Sequence, residues 1–134
     1  MFHRDDEIAE LLRRSTELKD AQDMQGAIAC LYIVKKLMLK SKVSYPAETW
    51  CKLPLYLQQA GLFDESMAEF QDLLNDLPRR AGKDVQLDNS SVGSEDSKRR
   101  HFENLTMNDA RVIGEKMELA RKREAKTNVI KKHL

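Results

Sequence analysis

The sequence predicts an all-α protein of antiparallel helical hairpins, with a flexible insertion before a C-terminal helix. Charged residues fill 34% of the 134 positions and aromatic residues only 6%. That balance suits solvated helices better than a β-sandwich, which needs aromatic and β-branched side chains. Three prolines and five glycines leave little turn chemistry, so the elements are few and long. Apolar residues recur at spacings of three and four, the period of an amphipathic helix.

Residues 5–22 place Ile8, Leu11, Leu12, Ser15 and Leu18 on one side and Arg13, Arg14, Glu17 and Lys19 opposite. Asp5, Asp6 and Glu7 stand at the start, where the helix dipole favours acids. Gln22-Asp23 interrupts the pattern. A second helix, 23–40, carries Met24, Ala27, Ile28, Leu31, Val34 and Met38, and also Cys30, Tyr32, Ile33 and Leu37. Apolar around most of its circumference, it calls for cover on more than one side. Ser41–Tyr45 is a short loop. Pro46 opens a third helix, 46–60, with Trp50, Leu53, Leu57 and Ala60 on one face. Pro54 lies inside it and loosens or kinks its early turns. Gly61 ends it, where a positive φ costs a glycine little. Asp64 and Glu65 open a fourth helix, 64–76, with Met67, Phe70 and Leu74 as its stripe, and Pro78 closes it.

Residues 79–105 are small and polar with no period, which predicts a flexible linker. Thr106-Met107-Asn108-Asp109 has the form of a capping box with Asp in place of Glu. The helix it predicts, about 106–124, sets Ala110, Ile113, Met117 and Ala120 on one face, and Val129, Ile130 and Leu134 begin a further short helix. The expected organisation is therefore two hairpins over 1–78, a linker over 79–105, and a basic helical segment over 106–134.

An internal repeat organises the hairpins. Trp50 is followed by Leu53, Leu57, Gly61, Ser66, Phe70, Leu73 and Pro78 at intervals that fill a helix seam, make a tight turn, allow close approach and then stop the second helix. Leu11, Leu18, Ala27, Leu31 and Val34 occupy the same places one repeat earlier, with Gln22 where the turn Gly belongs and Arg14 where a Leu belongs. This pattern resembles the tetratricopeptide repeat. Ser66 stands where the family prefers Ala, and Pro54 departs from a small residue. The step from Ala27 to Ser66 is longer than the family's period of about 34 residues. Ile113, Met117, Ala120 and Val129 fit an incomplete third copy. The resemblance implies stacked hairpins whose first helices line a groove for an extended peptide or a partner helix. Family members that bind acidic chaperone tails use a basic clamp there; Arg13, Arg14 and Lys52 are too few and scattered to form it.

The remaining chemistry points away from catalysis. His3, His101 and His133 have no Cys or acid at ligand spacing, and no phosphate-binding or nucleophile motif occurs. No enzyme activity, metal or cofactor is expected. Cys30 and Cys51 lie in apolar segments without a CxxC, as core residues of a reducing, cytoplasmic compartment. The N-terminus is charged and no run of about 18 apolar residues occurs, so neither a signal peptide nor a membrane span is expected. The net charge of +1 hides an asymmetry: residues 1–97 hold 12 Lys/Arg against 17 Asp/Glu, and residues 98–134 hold 11 against 5. The leading expectation is a protein-interaction adaptor. Tyr56, off the apolar stripe, is a surface candidate for the partner, as are Arg13, Arg14, Lys52, Arg121, Lys122 and Arg123. The alternatives are a nucleic-acid-associated regulator using the basic 98–134 arm, and a subunit that self-associates through an uncovered apolar face.

Overall fold

Acidic first turns, an Asp cap and a proline set where the helices begin. The structure, a computed structural model, describes residues 4–77 and 95–132, without the side chains of Arg4 and of residues 95–106. Helix α1 (Arg4–Asp20) starts on Asp5, Asp6 and Glu7. Helix α2 (Met24–Lys40) is capped by Asp23, whose side chain accepts a 2.9 Å hydrogen bond from the Gly26 N–H. Pro46 is the N-cap of α3 (Ala47–Trp50), which is followed by α4 (Lys52–Gln59) and α5 (Phe63–Asn75). Helix α6 (Glu95–Lys132) runs unbroken for 38 residues. The described residues are all-helical, with no strand.

The third helix expected over 46–60 is thus two helices that meet at Cys51. Pro54 has no N–H to offer the carbonyl four residues back, and its ring crowds that turn, so the helix breaks where its influence falls. Backbone bonds continue on either side, from the Cys51 N–H to Ala47 (3.0 Å) and from the Leu55 N–H to Cys51 (3.1 Å).

The two hairpins repeat each other bond for bond. In the first, the Gln22 N–H donates to Lys19 and the Asp23 N–H to Leu18; in the second, the Gly61 N–H donates to Gln58 and the Leu62 N–H to Leu57. Each residue of the second set lies 39 positions after its counterpart. This double bond is the Schellman closure of a helix, and it needs one residue in the left-handed region. Gly61 supplies it at φ 84°, and Gln22 at φ 65°. Burial follows the same step: Ala27, Leu31, Val34 and Met38 match Ser66, Phe70, Leu73 and Leu77, all buried.

Packing stacks the hairpins. Helix α1 packs on α2, α2 on α4, and α4 on α5, while α6 lies against α3, α4 and α5. The core runs from Ile8 through Val34, Met38, Trp50, Cys51, Phe70 and Leu73 to Ile113 and Ala120. A second cluster joins Ala27, Ile28, Leu31, Leu53, Tyr56 and Leu57. Helix α2 has its expected double cover, from α1 and α4, yet Tyr32 and Ile33 stay exposed at 36% and 47%. On α5 the buried face is Ser66, Phe70 and Leu73; Leu74, one residue further round, is only partly buried.

Three expectations for the C-terminal part are corrected. Residues 95–105 belong to α6 rather than to a flexible linker, and Thr106 is inside the helix rather than at its cap. Lys98, Arg99, Arg100, Glu103 and Leu105 are residue types of high helix propensity, and no Pro or Gly interrupts them. The rest of that linker, 79–94, and Pro78 lie outside the described residues. Val129 and Ile130 extend the same helix instead of starting another.

Candidate functional site

The residues expected to meet a partner do not converge. Arg13 and Arg14 are exposed on α1. Arg13 is already engaged by acids of its own helix, Glu10 and, at 2.7 Å, Glu17. The hydrogen bond to Glu10, then the charges of Glu10 and Glu17, raise its guanidinium above its ordinary pKa. Lys52 is half-buried on α4. Arg121, Lys122 and Arg123 are exposed on α6, with Arg121 at 3.7 Å from Glu118.

Tyr56 is not on the surface. It is 6% exposed in the second core cluster, with the Lys19 ammonium 5.0 Å from its ring centroid. The stripe of α4 is wider than one line because α1 and α2 cover it from two directions, and Lys19 of α1 closes over the ring. The residues of the repeat signature are core, as their spacing implies: Trp50, Leu53, Leu57, Ser66, Phe70 and Leu73 are all buried. Ser66 donates a 2.7 Å hydrogen bond across the hairpin to the Pro54 carbonyl, so the small residue at closest approach also ties the two helices together.

Helix α6 forms one wall of a cleft that combines depth, charge and openness. Val112, Ile113 and Ala120 are buried against the hairpins, and Met117 is half-buried. Beyond Glu124 every described residue of α6 is exposed, because the helix continues past the end of α4. A cleft of about 370 Å³ lies between the two. Gln58, Gln59 and Gly61 form one wall; Arg123, Glu124, Lys126, Thr127, Ile130 and Lys131 form the other. Gln58 is 5% exposed and its amide nitrogen donates to Glu124 over a long 3.4 Å, while its Oε1 meets no donor among the described residues. Ile130 is 56% exposed, and Leu62, next to Gly61, is 41% exposed.

A second cleft, of about 330 Å³, opens between α2 and α5 over Trp50. Lys35 on its rim bridges Glu69 at 2.6 Å and Asp72 at 3.9 Å, so its charge serves the α2–α5 contact. Among the described residues no group of His, Cys, Asp and Glu could hold a metal ion, and no helix is long and apolar enough to cross a membrane. Cys30 and Cys51 are buried and not joined in a disulfide. His3 and His133 lie outside the described residues, and the side chain of His101 is among those left undescribed.

No protein-family model, curated protein or solved structure matches the chain. The likeness to tetratricopeptide repeats is therefore carried by this chain's own residues. Of the expected partner-binding residues only Arg123 lines the α4–α6 cleft. Gln58, Gln59, Thr127 and Ile130 carried no signal in the sequence, since neither glutamine lies in a motif and the cleft joins positions more than sixty residues apart.

Proposed function

We propose that the protein is a non-catalytic interaction module, a tetratricopeptide-like stack that binds a segment of another protein in the cleft between α4 and α6. The observation that carries this is the cleft itself: an open trough with basic, amide and apolar groups on two helices. Mixed donors beside an apolar flank suit a polypeptide, which offers carbonyls, N–H groups and side chains together. The repeated turn 39 residues apart supports the stacked-hairpin family.

The test is affinity capture from the native cell with the wild-type chain and with an Arg123→Glu/Lys126→Glu variant. Both positions are exposed, so the variant keeps its fold. A protein retained by the wild type and lost by the variant, then shown by calorimetry to bind the purified chain, is the expected result. Identical recovery by both chains defeats the assignment. A salt-sensitive gel shift with random-sequence DNA, in the absence of such a protein, transfers the role to nucleic acid through the exposed cations of α6.

A further inference from the structure

We propose that the occupant of the α4–α6 cleft is an extended protein segment carrying a phosphoserine or phosphothreonine beside an apolar residue. This rests on the protein-binding role assigned above and names its chemistry. Charge is the first argument. Arg123, Lys126 and Lys131 share their wall of the cleft with a single carboxylate, Glu124, and none of the three cations makes an ion pair among the described residues. Elsewhere Arg13, Lys35, Arg111 and Arg121 are each matched by an acid, while Arg14, Lys42 and Lys122 make no ion pair among the described residues; what sets the cleft apart is that three such cations line one concavity. The local excess is two positive charges. A phosphomonoester carries about −1.5 to −2 at neutral pH and cancels it, whereas one carboxylate leaves an unmatched cation. The guanidinium of Arg123 adds the forked donor geometry that suits phosphate oxygens.

Gln58 supplies the second argument. It is a buried polar side chain on the cleft wall whose oxygen meets no donor among the described residues. Its amide nitrogen faces the Glu124 carboxylate, which settles which end of the amide is oxygen. An unmet buried acceptor is costly, and a main-chain N–H is the group that satisfies it. The 3.4 Å bond to Glu124 is long enough to yield as the amide turns to meet a bound chain. A bound peptide supplies such an N–H.

Size and flank complete the case. About 370 Å³ is room for a side chain and its neighbours. Ile130, on the cleft wall and 56% exposed, gives an apolar neighbour a place to rest. No aromatic ring lines the cleft to stack a nucleobase.

The experiment is a nuclear magnetic resonance titration of the full ¹⁵N-labelled chain. The probes are three short synthetic peptides identical except for a central phosphoserine, glutamate or serine followed by leucine, and a random-sequence DNA duplex. The phosphoserine peptide is expected to shift the Gly61 and Thr127 amides and the Gln58 side-chain amide. It should do so at roughly tenfold lower concentration than the glutamate peptide, the effect of about one charge-assisted contact. Lys126→Glu/Lys131→Glu should abolish these shifts and leave the rest of the spectrum in place. Equal response to glutamate and phosphoserine overturns the phosphate assignment and leaves the protein-binding role standing. Loss of every peptide response overturns the proposal, and a stronger response to DNA overturns both it and the protein-binding role.

Discussion

The first and second hairpins solve one backbone problem with different side chains. Both close with the same pair of hydrogen bonds, yet one turn is made by Gln22 and the other by Gly61. Both bring two helices close, but by different means. In the first, Ala27 on α2 is the small residue, and the Ser15 hydroxyl on α1 donates to Leu12 of its own helix at 2.7 Å. In the second, Pro54 stands in the place of Ser15, and the hydroxyl moves to Ser66, from which it crosses to the opposite helix. The first hairpin keeps a continuous first helix and a strained turn; the second has a broken first helix and a relaxed turn. What the repeat conserves is therefore geometry, the positions of close approach and of positive φ, and not residue identity.

The largest test of that equivalence lies in the core. Phe70 and Leu31 occupy matching positions and are 0% and 2% exposed. Phe70→Ala should cost about 3–5 kcal/mol and Leu31→Ala about 2–5 kcal/mol, read from denaturant midpoints. In a small domain either loss approaches the whole stability. A melting temperature unchanged by either substitution would show that its hairpin is not part of the packed stack.

The turns should respond with opposite signs. Gln22→Gly removes a side chain from the left-handed region and should stabilise the fold by about 0.5–1 kcal/mol. Gly61→Gln imposes that strain on the second turn and should destabilise it by about 1–2 kcal/mol. No atom lies within 4 Å of a Cβ at Gly61, so the effect isolates backbone conformation from crowding. Thermal melts of the two single variants and of the double variant decide whether the turns are interchangeable; two shifts of the same sign would end the comparison.

The smallest effect sits at the junction of the hairpins. Tyr45 and Ser41, from the connecting loop, both donate 2.6 Å hydrogen bonds to Asp5 of α1. Burial, then the bond to Asp5 and its charge, push the Tyr45 hydroxyl up to about 12. A tyrosine released by unfolding ionises near 10, so the unfolded chain gives up this proton first. The contribution is complete below about pH 10 and is lost as pH rises toward 12. Melting temperatures of wild type and Tyr45→Phe should converge over that range, while below pH 10 their difference stays constant.

The hairpins were legible in the sequence because their signals are local. Spacing along one helix marks Trp50, Leu57 and Phe70, and Gly61 marks its own turn. Gln22 shows that the positive-φ site can be found by register even where the residue type argues against it. What escaped notice belongs to contacts between layers. Tyr56 is covered by Lys19 from another hairpin, and the α4–α6 cleft exists only because a distant helix docks beside Gln58 and Gln59. The early start of α6 was missed for a different reason. A polar helix without an apolar stripe has no period to detect, although its residue types favour it.

Helix α6 is about 57 Å long at 1.5 Å per residue, and its far end holds Arg121, Lys122, Arg123, Lys126, Lys131 and Lys132. Residues 1–97 carry the opposite excess, 17 acids against 12 bases. A net charge near zero thus hides stretches of opposite sign along the sequence. Any attraction of the basic stretch to an anionic partner acts on the rate of encounter more than on the life of the complex, and it fades as added salt shortens the Debye length below about 8 Å.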